Sequence, residues 1–252
     1  MSRHKSSADW SALVFPKVLE ALGSPLSPKM KILDFGCGSG DLVARFRRAG
    51  YLAHGVDLDD SFAENLSQTD PAGDVFRVIE SNPYRIPFED RSFDVVVSDE
   101  VFEHVQDYGQ ALAELRRVMR PGGVALHVFP SGWRLLEGHV FVPLAGVIQG
   151  SWYLKFWAWL GIRNQFQKGL SWREVASLNR DYLKAGTNYP SKKDLRESFE
   201  AHFEEVRFVE RVFWEHGSRR LRTLSRFVLR LPLGDKLFSE FRGRAVFCRR
   251  TT

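Results

Sequence analysis

The 252-residue sequence predicts an α/β fold, a parallel sheet flanked by helices, and three observations carry that prediction. Its first half alternates short apolar runs with helical patterns, which is how successive βαβ units read. A glycine-rich turn, Gly36-Cys-Gly38-Ser-Gly40, separates a strand-like run from a helix-like one. A later run, Phe93-Asp-Val-Val-Val-Ser98, carries the valines of a strand buried on both faces.

In chain order, Met1 to Ala8 is polar and offers no secretory signal, and the short apolar stretch from Trp10, with Pro16 and Lys17, reads as an amphipathic opening helix. Lys31 to Phe35 is the first strand, and a helix follows the glycine turn from Asp41 to Arg48. Tyr51 to Asp57 and Val75 to Ile79 are the second and third strands, with a short helix at Ser61 to Ser67 between them. After the fourth strand, Phe93 to Ser98, helical periodicity runs from Gly109 to Met119. Pro121-Gly122-Gly123 stops it, and Val124 to Phe129 is a fifth strand. Residues 130–190 hold aromatic, helix-like segments without a clear strand. Ser191-Lys-Lys-Asp194 opens a further helix to about Ala201 with a capping-box pattern. Phe203 to Val209 and Arg244 to Cys248 are strands six and seven, separated by an arginine-rich insertion at about 212–242.

Composition sets the outer bounds. An apolar share of 44% and a charged share of 27% are ordinary for a folded globular chain, and the length suits one elaborated domain or a domain with a small cap. The formal charge of +5 and pI near 9.3 only weakly favour anionic partners, because scattered arginines usually form a solvated face. Cys37 and Cys248 lie far apart and outside any Cys-x-x-Cys pair, which argues against a structural metal or a disulfide framework and for a reducing, cytoplasmic compartment.

The glycine turn is the strongest chemical signal. Glycine permits positive φ and lets a ligand approach the backbone without a Cβ in the way. At the carboxyl end of the first strand of such a sheet, that turn makes a small-molecule cradle. A tight turn without ligand and a different nucleotide loop compete with this reading. Asp57 ends the second strand, where a carboxylate can accept both hydroxyls of a ribose, but a dinucleotide fold would place an acid there too. The spacing is G-x-G-x-G rather than G-x-G-x-x-G, and no Gly-Lys-Ser/Thr follows, which excludes a Walker-type loop more firmly.

The ordered set Ile32 to Gly40, Gly55-Val-Asp57, Ile86-Pro-Phe88, Ser92 to Ser98, Glu103-His-Val105 and Leu115 to Gly123 resembles class I S-adenosylmethionine-dependent methyltransferases. It looks closest to the branch holding ubiquinone-type and many small-molecule enzymes, over roughly residues 30–130. The resemblance implies a Rossmann-like seven-stranded sheet with helical insertions over the active site and S-adenosylmethionine as cofactor. It divides the chain into an N-terminal helix and cofactor core at 1–130, a substrate lid at 131–190 and a C-terminal completion of the sheet at 191–252. Gly36, Gly38 and Gly40 would hold the methionine half, Asp34 would orient the loop, Asp57 would bind the ribose and Leu58 would pack on the adenine. Alignment on Ile86-Pro87-Phe88 puts Asn82 where the family often has an acid facing the adenine amino group. Ser98 ends strand four, where its backbone would face the methionine.

Methyl transfer from a sulfonium leaves the protein to align a nucleophile and exclude water. A hydroxyl acceptor also gains from a general base, typically about 10²–10⁴-fold. His104, a few residues past strand four, and His139, beside Glu137 just past strand five, are the base candidates, while Glu103 reads as structural. For His104 a helix-start histidine bonded to backbone is an equal alternative. With strand seven antiparallel, as in the family, both insertions leave the sheet at the cofactor end. The stretch 140–160 is too short and too broken by Pro143, Gly146 and Gly150 for a membrane span. It reads as a lid or as a surface for peripheral contact with a membrane. The segment 219–231 adds weakly to the second reading, since Arg222, Arg226 and Arg230 share one helical face and Leu221, Leu224, Phe227 and Val228 tend toward another.

Rival functions differ in what they require. An exocyclic-amine nucleic-acid methyltransferase usually carries Asp/Asn-Pro-Pro-Tyr/Phe after strand four, where Ser98-Asp-Glu-Val101 stands here, and the Pro-Cys of cytosine C5 enzymes is missing. A silent scaffold of the same fold has no need of the intact glycine loop and Asp57, and a dehydrogenase is more distant. The favoured acceptor is a small polar or glycan-type hydroxyl, from a loose similarity of the Glu-Gly-His segment to bacterial surface-glycan methyltransferases. A quinone- or lipid-like acceptor is the alternative. No metal site is expected, and the oligomeric state is open.

Overall fold

A computed structural model describes residues 2–59, 75–216 and 234–252. In order, its elements are α1 (Ser2–Ala21), β1 (Lys31–Phe35), α2 (Asp41–Arg48), β2 (Leu52–Asp57), β3 (Phe76–Val78), β4 (Glu80–Ser81), β5 (Tyr84–Arg85) and β6 (Phe93–Asp99). Then come α3 (Tyr108–Val118), β7 (Met119–Phe129), α4 (Ser151–Trp159), α5 (Trp172–Gly186), α6 (Lys192–Glu200), β8 (Glu205–Phe208), α7 (Glu210–Glu215), α8 (Gly234–Arg242) and β9 (Arg244–Arg249).

Seven strands form one sheet in the order β3-β2-β1-β6-β7-β9-β8. The first five pair in parallel, and β9 runs antiparallel between β7 and β8. This is the Rossmann-like class I methyltransferase topology. The order reverses beside β1, and at such a switch point the carboxyl ends of neighbouring strands open a crevice.

Strand alternation explains the two-layered core. Ile32, Val95, Val97, Leu126 and Phe247 face one layer, with Val14, Phe15, Val18 and Leu19 of α1, Val43 and Phe46 of α2 and Phe213 of α7. Leu33, Val96, Ala125, Val246 and Cys248 face the other, against Leu112 and Leu115 of α3 and Leu195 and Phe199 of α6. Both faces are therefore apolar, as the valine run of β6 requires. Helix α1 passes through Pro16. An interior proline costs about 3 kcal/mol, and the full burial of Phe15, Val18 and Leu19 outweighs it at about 1.5–3 kcal/mol each.

Several boundaries differ from the sequence expectation. Strand β7 begins at Met119, five residues before the expected Val124, because Met119 pairs with Phe93 ahead of a register shift and the Pro121–Gly123 turn interrupts the strand without ending it. Strand β3 keeps three residues, and the following segment folds into an unforeseen two-stranded hairpin, β4 with β5. Strand β8 is confined to Glu205–Phe208. Helix α6 starts as its capping box predicts, with the Ser191 side chain accepting from the Asp194 N–H. The expected helix at Ser61–Ser67 and the basic segment 219–231, with Arg222, Arg226 and Arg230, lie outside the described residues.

Candidate active site

The glycine turn follows β1, the central strand of the parallel half. Gly36, Gly38 and Gly40 take φ of 74°, 48° and 74°, a region that L side chains rarely occupy. The Gly36 and Cys37 N–H groups both donate to the Val56 carbonyl, at 2.8 and 3.0 Å, so the turn folds back over β2. A methyl on Gly36 would collide with the Val101 side chain, whereas the space beside Gly38 is open.

Asp57 closes β2 directly against that turn. Its Oδ2 accepts from the Gly38 N–H at 2.8 Å and its Oδ1 from the Leu58 N–H at 2.7 Å. A carboxylate oxygen has room for a second donor, so both oxygens remain available to a diol. Leu58 is 62% exposed, an apolar side chain standing in solvent beside the acid. Asp34 is buried at the end of β1. Burial, reinforced by Asp99 and Asp57, holds its carboxyl well above the usual carboxylate range. Asp99 ends β6 and accepts from Ser11 Oγ of α1 at 2.5 Å. Three carboxyl groups thus gather at the carboxyl ends of β1, β2 and β6, a field suited to a cationic ligand.

Asn82 and Ser98, the other two expected cofactor contacts, lie on a hairpin turn and at the end of β6. Asn82 lies exposed in the turn between β4 and β5. The Ile79 N–H bonds the Asp57 carbonyl at 2.8 Å, so the first acid beyond β3 is Glu80. Alignment on Ile86-Pro87-Phe88 passes over Glu80 because the hairpin lengthens the segment. The Ser98 side chain is buried and shares a 2.9 Å hydrogen bond with His127 Nδ1. His127, which the sequence reading did not single out, is fully buried on β7 against Phe102 and Phe199.

Strands β7 and β8 point the same way as β1, so the residues after each emerge at the cofactor edge. Over that edge the structure brings together His104 and His139, whose rings meet edge to face with centroids 4.9 Å apart. His139 Nδ1 lies 2.7 Å from Oε1 of the buried Glu137. Glu137 Oε2 takes the backbone N–H groups of His139 and Val140, each at 2.8 Å, and Oε1 also accepts from Tyr189 Oη at 3.1 Å. Burial raises the Glu137 pKa, but these donors together hold it below the usual range, so it is a carboxylate that fixes its partner's tautomer. Neutral His139 therefore carries its proton on Nδ1 and leaves Nε2 as the acceptor.

His104 is arranged in the same sense. Its Nδ1 donates to the Gly186 carbonyl at 2.6 Å, which frees Nε2. Burial lowers its pKa, with a contribution from His139, and keeps it neutral. Its Nε2 is 4.0 Å from Oε1 of Glu103. Glu103 is 1% exposed, its Oε2 has no hydrogen-bond partner, and burial pushes its pKa well up. The shift favours the protonated carboxyl, which can donate a hydrogen bond. Tyr182, 5.3 Å from the His139 ring, completes the wall.

A protein family described as methyltransferase domain matches residues 33–127, from β1 through most of β7. Residues 33–127 carry a methyltransferase domain of that family. The chain is 28% identical over 185 residues to a demethylmenaquinone methyltransferase of Staphylococcus aureus, covering 71% of this chain and 69% of that one. Against a ubiquinone/menaquinone biosynthesis C-methyltransferase of Shewanella halifaxensis it is 34% identical over 107 residues, 39% of this chain and 42% of the relative. A probable S-adenosylmethionine-dependent methyltransferase of Mycolicibacterium smegmatis is 36% identical over 103 residues, and the match spans 38% of its length. Among solved structures, the putative methyltransferase in complex with the Trm112 activator of Haloferax volcanii superposes with a TM-score of 0.53 at 16% identity, covering 100% and 99% of the two chains. A Thermotoga maritima S-adenosylmethionine-dependent methyltransferase, titled a possible histamine N-methyltransferase, gives 0.52 at 14% identity over 98% and 93%. These likenesses establish the fold.

The residues present fit S-adenosylmethionine, the cofactor of this domain. The open space at Gly38 leaves room beside the turn, the gathered carboxyl groups suit a sulfonium and an amino group, and Leu58 offers an apolar platform next to the ribose acid.

Proposed function

We propose that this chain methylates a hydroxyl of a small polar or glycan-type acceptor, with His139 as general base. The observation that supports this best is the buried Glu137 carboxylate 2.7 Å from His139 Nδ1, beside a second imidazole whose Nδ1 is tied to a carbonyl. When bound, S-adenosylmethionine supplies an electrophilic methyl group on a positively charged sulfur. The residues proposed to hold it are Asp34, Gly36, Gly38, Gly40, Asp57 and Leu58, together with the backbone at Ser98. Glu80, the first acid past β3, takes over the adenine-facing role expected of Asn82.

The roof residues then serve the acceptor. His139 Nε2 receives the hydroxyl proton as the oxygen attacks, and Glu137 stabilises the imidazolium that results. Neutral His104 accepts and neutral Glu103 donates, a pairing that matches a second hydroxyl on the same molecule. Tyr182 and Tyr189 line the same wall and help exclude water.

A second reading, a quinone- or lipid-like acceptor, is supported by the activities for which two of the relatives are named. One experiment separates the two. The purified chain is incubated with methyl-labelled S-adenosylmethionine and either monosaccharide and glycolipid acceptors or a demethylated quinone. Label on a hydroxyl that disappears in His139→Ala supports the first reading, and label only on a quinone ring carbon, indifferent to His139, overturns it. Absence of cofactor binding by calorimetry would point instead to a scaffold.

A further inference from the structure

We propose that the outer face of the roof, built on Trp152, Phe156 and Trp159 of α4, docks on an anionic lipid bilayer. Trp152, Phe156 and Trp159 follow one another at i, i+4 and i+7 and so share one face of α4. Trp152 is 73% exposed, Trp159 66% and Phe166 83%. The opposite face of the same helix is already used, with Leu154 and Ala158 fully buried against the rest of the roof. A surface helix normally turns polar side chains to water on its second face. This one turns aromatic rings outward, and Ile148 and Leu160 extend the exposed apolar area at either end.

Charge identifies the occupant. From Gly138 to Arg173 the sequence contains no aspartate or glutamate, while Lys155, Arg163, Lys168 and Arg173 lie within that stretch. Lys155 sits among the exposed aromatics on α4, and Lys168 is two residues from Phe166. Tryptophan with lysine and arginine is the composition of the bilayer interface, where rings enter the headgroup boundary and cations meet lipid phosphates. A second copy packed face to face about a two-fold axis would set the same cations against each other. An anionic membrane offers apolar depth and negative charge together. No helix among the described residues is long and apolar enough to cross a membrane, so the contact is peripheral.

The surface is independent of the hydroxyl-transfer reading, and its test needs no acceptor. The full chain is co-sedimented with vesicles of equal parts phosphatidylglycerol and phosphatidylcholine, and with phosphatidylcholine alone. Binding to the anionic vesicles is expected to exceed binding to neutral ones by about tenfold or more, and to weaken with salt. Trp152→Ser with Trp159→Ser should lose about tenfold or more while keeping the circular dichroism and cofactor affinity of the parent. Lys155→Glu with Lys168→Glu, which leaves the rings in place, should also lose about tenfold or more on anionic vesicles. Failure of the parent to bind anionic vesicles, or double variants that bind as well as the parent, would overturn the proposal. So would a dimer in sedimentation velocity that the tryptophan substitutions dissociate in a chain with no vesicle affinity, since the face would then belong to a second copy.

Discussion

Ser98 Oγ and His127 Nδ1 lie 2.9 Å apart on the neighbouring strands β6 and β7, in a part of the sheet that water does not reach. His127 Nε2 has no hydrogen-bond partner. Burial pushes this imidazole down to about 3, from an ordinary value of 6.5. The folded chain therefore holds it neutral where the unfolded chain takes up a proton.

The consequence is a loss of stability on acidification. Between pH 6.5 and about 3 the unfolded state binds more protons at this site, so stability falls as pH drops, by at most about 1.4 kcal/mol per pH unit. Urea midpoints at pH 7 and pH 5 should show the decline. His127→Asn keeps one hydrogen-bonding group and cannot titrate, and it should be less stable at pH 7 but show a flatter dependence. An unchanged slope would assign the decline to other groups.

Two glycines of the turn should respond differently to the same substitution. Gly36→Ala drives a methyl into Val101 at φ 74° and should cost about 2–4 kcal/mol of stability, visible as a lowered Tm. Gly38→Ala meets open space and pays only for its positive φ, about 1–2 kcal/mol. Its larger effect should be weaker S-adenosylmethionine binding by calorimetry, because the methyl enters the room left for ligand.

Asp57→Ala removes the acceptor of two backbone N–H groups as well as the ribose contact proposed for it. With hydrogen bonds to charged groups worth about 1.5–3 kcal/mol, cofactor affinity should fall about 10- to 100-fold. Unchanged affinity in calorimetry would remove Asp57 from the site.

His139→Ala should reduce kcat about 10²–10⁴-fold with little change in cofactor affinity. Glu137→Gln should reduce kcat less, because an amide oxygen still accepts from the ring but carries no charge to stabilise the imidazolium. His104→Ala should raise KM more than it lowers kcat. Steady-state kinetics over pH, once an acceptor is found, distinguishes the three.

Much of this was legible before the structure, and the reasons are local. Asp34, the three glycines and Asp57 announce themselves because a turn between strand and helix needs those residue types in a fixed order. The His139–Glu137 pair was visible as two polar residues two positions apart. The hairpin that carries Asn82 was not legible, because motif counting cannot register a turn between Ser81 and Tyr84. His127 was passed over because an isolated histidine in an apolar strand reads like any other core residue, and its Ser98 partner is 29 positions away. Glu103 looked structural because nothing in a linear sequence reveals an orphaned carboxyl oxygen.

The end of α5 and the residues after it reach back to the segment after β6 through four hydrogen bonds: His104 Nδ1 donates to Gly186 O at 2.6 Å, Asn188 N to Glu103 O at 2.6 Å, and Asn188 Nδ2 to Val105 O at 2.9 Å and to Gln106 O at 3.4 Å. The clasp holds the roof to the turn after β6 that bears His104. If the roof lifts to admit a large acceptor, the carbonyl that pins the His104 proton leaves with it, and the free ring nitrogen loses its definition. The tautomer of His104 is thus set by the segment that covers it and not by the strand end from which it extends.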